Sequence, residues 1–212
     1  MIESTPSAEP PIQMVERPNG EVTLYIGDAQ AMQGWEHDLM RESADILCTY
    51  GSELMEVGLG LGLSALRIAG HPSTRAHTVV EKYGRVIELF REKHPTPPAS
   101  LRIVEADFFD HIRQQPPACL DGIFFDPYLV DLTLWRDEAL WSEITPLIVR
   151  ALRTGGVFMP CFSTVPELRW QFVPFFRRVI VERRTFETYA DTNYTSAAAG
   201  AAYIQCFVKT DG

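Results

Sequence analysis

Val22, Leu24 and Ile26 alternate with polar neighbours, the period of a strand with one face against a core. Asp28 then leads into a segment where Met32, Glu36 and Met40 recur every fourth residue, with Trp35 and Leu39 beside them. That spacing predicts one helical face carrying a carboxylate between two thioethers. From Glu53 the pattern becomes strand, turn, helix and repeats: Leu54 to Val57 then Ser64 to Ala69, Thr78 to Val80 then Arg85 to Lys93, Leu101 to Val104 then a short acidic segment. Such alternation predicts a parallel sheet with crossover helices. Gly122 to Phe125 is continuously apolar, as a strand covered on both faces would be. Trp135 to Leu152 reads as a helix stopped by Gly155-Gly156, and Val157 to Pro160 as the next strand. Val179 to Thr188 and Ala201 to Lys209 read as an antiparallel closing pair joined by the loop Tyr189 to Gly200. Upstream, Pro6, Pro10, Pro11 and Pro18 stand among Ser, Glu and Gln, so residues 1–20 are expected to form a mobile tail and 21–212 one domain.

Composition narrows the class. The 212 residues suit a single domain, and 46% hydrophobic with 22% charged residues is an ordinary globular balance. The formal net charge of −9 repels phosphate backbones and disfavours nucleic acid as a partner. Cys48, Cys119, Cys161 and Cys206 form no CxxC pair, and the histidines show no metal spacing. No metal is expected, and free thiols fit a cytoplasmic setting. The N-terminus has acid and proline where a signal peptide needs cations and an apolar run, and no stretch reaches the ~18 apolar residues of a membrane span.

Chemistry is concentrated where predicted strands end. Glu56-Val57-Gly58-Leu59-Gly60-Leu61-Gly62 follows a strand and precedes a helix, a place where glycines let a ligand approach the backbone. The dinucleotide pattern GxGxxG fails because position 63 is Leu63. Glu81, 25 residues after Glu56, closes the second strand, where a carboxylate can accept both ribose hydroxyls. Asp107-Phe108 follows the third, where an acid can accept from an adenine amine while an aromatic ring packs on the base. Asp126-Pro127-Tyr128 follows the fourth, at the edge where open α/β sheets place their ligands.

The glycine loop with its leading acid resembles the cofactor loop of class I methyltransferases. Asp126-Pro127-Tyr128 resembles the signature of enzymes that methylate planar amino nitrogens. Taken with Met32-Gln33-Gly34-Trp35-Glu36, Met40, Asp121 to Asp126, Gly155-Gly156 and Cys161-Phe162-Ser163-Thr164, the chain from Ala31 to Lys209 resembles guanidinoacetate N-methyltransferases and their arginine-methylating relatives. The resemblance implies a Rossmann-like α/β fold with a mostly parallel seven-stranded sheet and an antiparallel C-terminal pair. It also implies S-adenosyl-L-methionine as cofactor, with S-adenosyl-L-homocysteine as product. Met32, Met40, Glu56, Gly58, Gly60, Gly62, Glu81, Asp107 and Phe108 are then expected at the cofactor. Glu36 and Asp126 are expected to grip the acceptor's guanidinium, and Trp35, Tyr128, Ser163, Thr164, Asn193 and Tyr194 to surround the acceptor.

The residue chemistry agrees, because a guanidinium is a planar fork of five donors that two carboxylates can match, one of them taking the proton lost on methylation. A small free guanidino compound, arginine, an arginine-derived metabolite or guanidinoacetate, is the expected acceptor. Protein arginine, a nucleic-acid amine and a catalytically silent cofactor-binding subunit are the alternatives. Oligomeric state stays open between monomer and homodimer.

Overall fold

The computed structural model describes residues 10–18, 20–129 and 132–211. Three short strands come first: β1 (Ile12–Glu16), β2 (Val22–Ile26) and β3 (Ala29–Gln33), paired in sequence order as one antiparallel sheet. After a single 3-10 turn (Gly34–Glu36) follow α1 (His37–Cys48), β4 (Glu53–Val57), α2 (Leu63–Ala69), β5 (Ala76–Glu81) and α3 (Gly84–Lys93). Next come β6 (Leu101–Glu105), α4 (Phe108–Arg113), β7 (Leu120–Phe125), α5 (Glu138–Ala151) and β8 (Leu152–Pro160). The antiparallel strands β9 (Arg178–Glu187) and β10 (Ala199–Val208) complete the chain.

The main sheet has the order β6-β5-β4-β7-β8-β10-β9, with β4 through β8 parallel. Strand order reverses between β4 and β7, so their carboxyl ends splay the connecting loops apart and leave a crevice. Strand period fixes which side chain meets which layer. On β7, Phe124 packs with Leu39, Met40 and Leu47 of α1, whereas Ile123 and Phe125 pack with Trp141, Ile144 and Ile148 of α5. Trp141 is fully buried, its ring meeting Phe125 at 5.5 Å and Phe172 at 4.9 Å, and its indole N–H donates to the Leu134 carbonyl at 2.8 Å.

Four sequence expectations change. Ile12–Glu16 pairs register for register with β2 instead of trailing as a tail; residues 1–9 lie outside the described residues. Met32 sits on a strand, not on a helical face with Glu36 and Met40: Gly27, at φ +62°, turns the chain back into a hairpin, and the helix begins only at His37. The predicted helix from Trp135 begins at Glu138, capped by the Asp137 carboxylate, while Leu132–Arg136 is a 3-10 segment. Its end is Ala151, and Gly155-Gly156 lies inside β8, where Gly155 at φ +82° donates to the Lys209 carbonyl at 2.7 Å.

Trp141→Ala empties a ring-lined site that its neighbours cannot easily fill. It should cost about 3–5 kcal/mol, read from urea unfolding followed by far-ultraviolet circular dichroism. A loss near ~1 kcal/mol would mean that the aromatic layer repacks.

Candidate active site

Gly58, at φ +89°, ends β4 beside the end of β7; a Cβ here would overlap the Asp126 carbonyl oxygen. Gly60, at φ +51°, leaves room for Met32, whose Sδ and Cε would lie 2.8 Å from an added Cβ. Met32 Sδ in turn accepts the Leu61 amide at 3.3 Å, tying the small sheet to the loop, and Gly62 caps α2 in the left-handed conformation. Met40 is fully buried in the core.

Glu81 closes β5 with both carboxylate oxygens engaged: Leu59 N–H donates at 2.8 Å and Tyr83 N–H at 2.9 Å. Burial still raises its pKa, against those two bonds. Glu56, by contrast, lies wholly beneath the loop. It accepts from the Ser64 hydroxyl and faces His77 Nε2 at 3.1 Å, so the acid that opens the motif supports α2 from below. Asp107 caps α4 through the Phe109 amide at 2.8 Å and meets Lys82 Nζ at 3.1 Å, while Phe108 packs on Phe125 at 5.1 Å.

Gly58, Glu81, Asp107, Phe108 and Tyr128 line a cleft of about 210 Å³, and Lys82, Tyr83 and Leu134 also line it. No periodicity singled those last three out, since they lie in turns and loops. Acid at the end of β5, a mixed acid and aromatic wall at β6 and bare backbone at β4 offer hydrogen-bond acceptors and a flat apolar surface suited to a ribose and a purine.

Beyond this cleft lies a cluster of acidic and aromatic side chains. Glu36 is only 6% exposed and sits in the 3-10 turn before α1, where its Oε1 accepts the Gln33 amide at 2.7 Å. Its pKa is pushed to about 8 by burial, and then by the negative charge of Asp126. Asp126 rises to about 7, chiefly from burial, with the Glu56 charge adding; a hydrogen bond from the Cys161 thiol and the Arg169 cation oppose the shift. Trp35 contacts Tyr194 and Phe186, each at 5.8 Å between centroids, and Phe162 at 6.3 Å. The Tyr194 hydroxyl donates to the Phe162 carbonyl at 2.8 Å. Trp35, Glu36, Asp126 and Tyr194 thus form one cluster.

Ser163 spends its hydroxyl on a local turn with Val165, and Asn193 is exposed, its amide donating to the Gln30 side chain at 2.8 Å. Thr164 is half-buried beside them. The Cys161 thiol, from the Cys161 to Thr164 stretch, donates to Asp126, while Arg169 acts on Asp126 from further off and carried no sequence signal, lying in an irregular segment after β8.

A family model for guanidinoacetate N-methyltransferase matches residues 15–169. The chain belongs to that family. As a guanidinoacetate N-methyltransferase family member it is an S-adenosyl-L-methionine-dependent N-methyltransferase that methylates a guanidino nitrogen of a small molecule. The fold recurs in spermidine synthase from Thermotoga maritima, at TM-score 0.70 and 17% identity over 97% of this chain and 72% of that one. It recurs in precorrin-6y C5,15-methyltransferase from Geobacter metallireducens, at TM-score 0.57 and 15% identity over 82% and 88%. At these identities the likeness shows the fold alone. No helix among the described residues of this family member is long and apolar enough to cross a membrane.

The raised carboxyl pKa values set a pH dependence. Between about pH 4 and 8 the folded family member holds protons on Glu36 and Asp126 that the unfolded chain has released, so their contribution to stability falls as pH rises through that window. The thermal midpoint of the ligand-free enzyme should therefore drop between pH 5.5 and 8.5 more steeply than that of Glu36→Gln/Asp126→Asn. Equal slopes in the two proteins would mean that neither carboxyl is shifted.

Proposed function

We propose that Glu36 and Asp126 form a two-carboxylate receptor for the guanidinium of a small free acceptor, with Asp126 taking the proton released on methylation. The single observation that carries this reading is that the two acids meet beside the cleft, Glu36 buried and Asp126 half-buried after the end of β7 against Gly58, with the charge of Asp126 raising the pKa of Glu36. Two acids that resist ionisation while alone become a strong site once a cation enters, because each then gains a charge-assisted partner. A base with a pKa of about 7 is also matched to proton transfer near neutral pH.

Glu81 would accept the ribose hydroxyls and Asp107 and Phe108 would meet the base, while Gly58 and Gly60 keep side chains off the approach. The cofactor supplies an electrophilic methyl carried on a sulfonium, so the protein's task is chiefly alignment. Good orientation of this kind contributes on the order of 7–11 kcal/mol. Asp126 aims the reacting nitrogen by accepting one N–H, and Glu36 fixes the plane of the fork by accepting another. Trp35, Phe162 and Tyr194 wall the receptor and exclude water, which strengthens both interactions. Tyr128, Ser163, Thr164 and Asn193 flank this region and complete the proposed acceptor surroundings. Guanidinoacetate and free arginine are the first acceptors to test, ahead of arginine within a peptide. The four free cysteines support a cytoplasmic setting.

Asp126→Asn keeps the shape and removes the proton acceptor. Turnover should fall by roughly two or more orders of magnitude while the cofactor dissociation constant changes less than about threefold. Mass spectrometry of guanidinoacetate, arginine and an arginine peptide after incubation reads the first, and calorimetry with S-adenosyl-L-homocysteine reads the second. Full turnover by the variant would remove Asp126 from the chemistry.

A further inference from the structure

Among the described residues, Arg169 is a half-buried cation with no ion-pair partner. Its Cζ lies 4.1 Å from the Trp135 ring centroid, and Trp135 is itself stacked on Trp141 at 5.9 Å and edge-on to Phe125 at 5.4 Å. The main chain is fixed from the opposite side. The buried Gln205 side chain accepts the Arg169 amide at 3.0 Å and donates to the Glu167 carbonyl at 2.8 Å. Gln171 Nε2 donates to the Trp135 carbonyl at 2.9 Å, holding the aromatic bed in place.

The guanidinium so positioned is poorly satisfied. Nη2 reaches the Cys161 carbonyl only at 3.4 Å, and Nε is buried with no partner. Among the described residues no carboxylate lies within ion-pair distance of it, and Asp126 and Glu167 act on it only at longer range. A fork of five donors left this bare in a partly dry site lacks compensation until an acceptor arrives. One edge of Arg169 faces the region of Asp126, Cys161 and Tyr194. It also lines a cavity of about 470 Å³ with Trp135, Ser163 and a second cation, Arg136. Ser163 offers that cavity little, since its amide bonds to the Tyr203 carbonyl at 3.0 Å and its hydroxyl is taken by Val165.

We propose that Arg169 receives the carboxylate at the end of the acceptor opposite its guanidinium and is the residue that sets the preference for an acid over its uncharged analogue. The inference rests on the guanidinium receptor proposed above and adds the opposite pole. Planar, bidentate donors on an aromatic bed are the arrangement that recognises a carboxylate, and a lysine would match it poorly.

Two matched acceptor pairs test it: guanidinoacetate against guanidinoacetamide, and arginine against argininamide. Each pair differs only in the carboxylate. For the pair that the enzyme methylates, KM for the amide should exceed KM for the acid by about 10- to 100-fold, the range of one charge-assisted hydrogen bond. Arg169→Gln should bring the two KM values within about threefold, and Arg169→Lys should restore part of the preference. Because both acceptors are measured on the same variant, a loss of folded protein cancels in the ratio. Acid and amide used alike by the wild type, or a preference that survives Arg169→Gln, would overturn the role of Arg169 and leave the carboxylate receptor standing. Methylation of none of the four compounds would overturn both.

Discussion

Two carboxyl groups set close together with little access to water are the constraint around which this molecule is arranged. Glu36 and Asp126 come from distant stretches of the chain, one from the turn ahead of α1 and the other from just past the end of β7, and nothing local in the sequence joins them. Each is held by backbone: Glu36 by the Gln33 amide in a reciprocal turn, Asp126 by donation of its amide to the Val57 carbonyl at 3.0 Å. Without a cation in contact, burial is offset by protonation, which is why both carboxyls titrate near neutrality. A rigid support is needed, because a pocket free to relax would simply admit water to both acids. The ring layer of Phe125, Trp135, Trp141, Phe158 and Phe172 behind β7 supplies that rigidity.

The acids of the strand ends divide into those facing the cleft and those beneath it. Glu81 takes two loop amides and still lines the cleft, so one side chain shapes the loop and presents an oxygen surface to it. Glu56 is bound to Ser64 and His77 and reaches no open space. In sequence the two look alike, each an acid next to a strand end. Side-chain alternation separates them: Glu56 is one residue short of the end of β4 and points into the helix layer, whereas Glu81 is the last residue of β5.

What could be read from the residues follows from how local each signal is. The succession from β4 to β7 was legible because every strand there is a short apolar run closed by a glycine or an acid. The glycine loop was legible because positive φ restricts residue choice. Met32 and Met40 share a spacing with Glu36 that imitates one helical face, yet Met32 arrives from a strand and Met40 from a helix. Ile12–Glu16 alternates Ile12 and Met14 with polar neighbours, but it is short and flanked by Pro10, Pro11 and Pro18, and its pairing with β2 gives it structure. Gly155-Gly156 looked like a helix stop, but a glycine pair serves equally where a strand must be irregular to meet its neighbour. Arg169 was silent, because its meaning lies in what stands opposite it in space, and Cys161 was legible only as part of the stretch Cys161 to Thr164.

The loop between β9 and β10 lies beyond residues 15–169, the span that matches the family model, and it is also the side of the acidic cluster furthest from the sheet. Its attachment is to the small N-terminal sheet: Arg17 pairs with Asp191 at 2.9 Å and lies over Tyr189, while Gln30 bonds the Asp191 carbonyl and the Asn193 amide, both at 2.8 Å. Asp191 is half in solvent, so the ion pair contributes no more than about 1 kcal/mol. The Gln30 bonds and the packing of Tyr194 on Trp35 and Phe162 hold the loop more firmly. An attachment made of a few modest contacts can change without disturbing the parallel sheet. In the proposed reading this separates two tasks physically: the sheet edge, stiffened by the aromatic core, fixes where a methyl can be passed, and the loop fixes how much room the acceptor has behind its guanidinium.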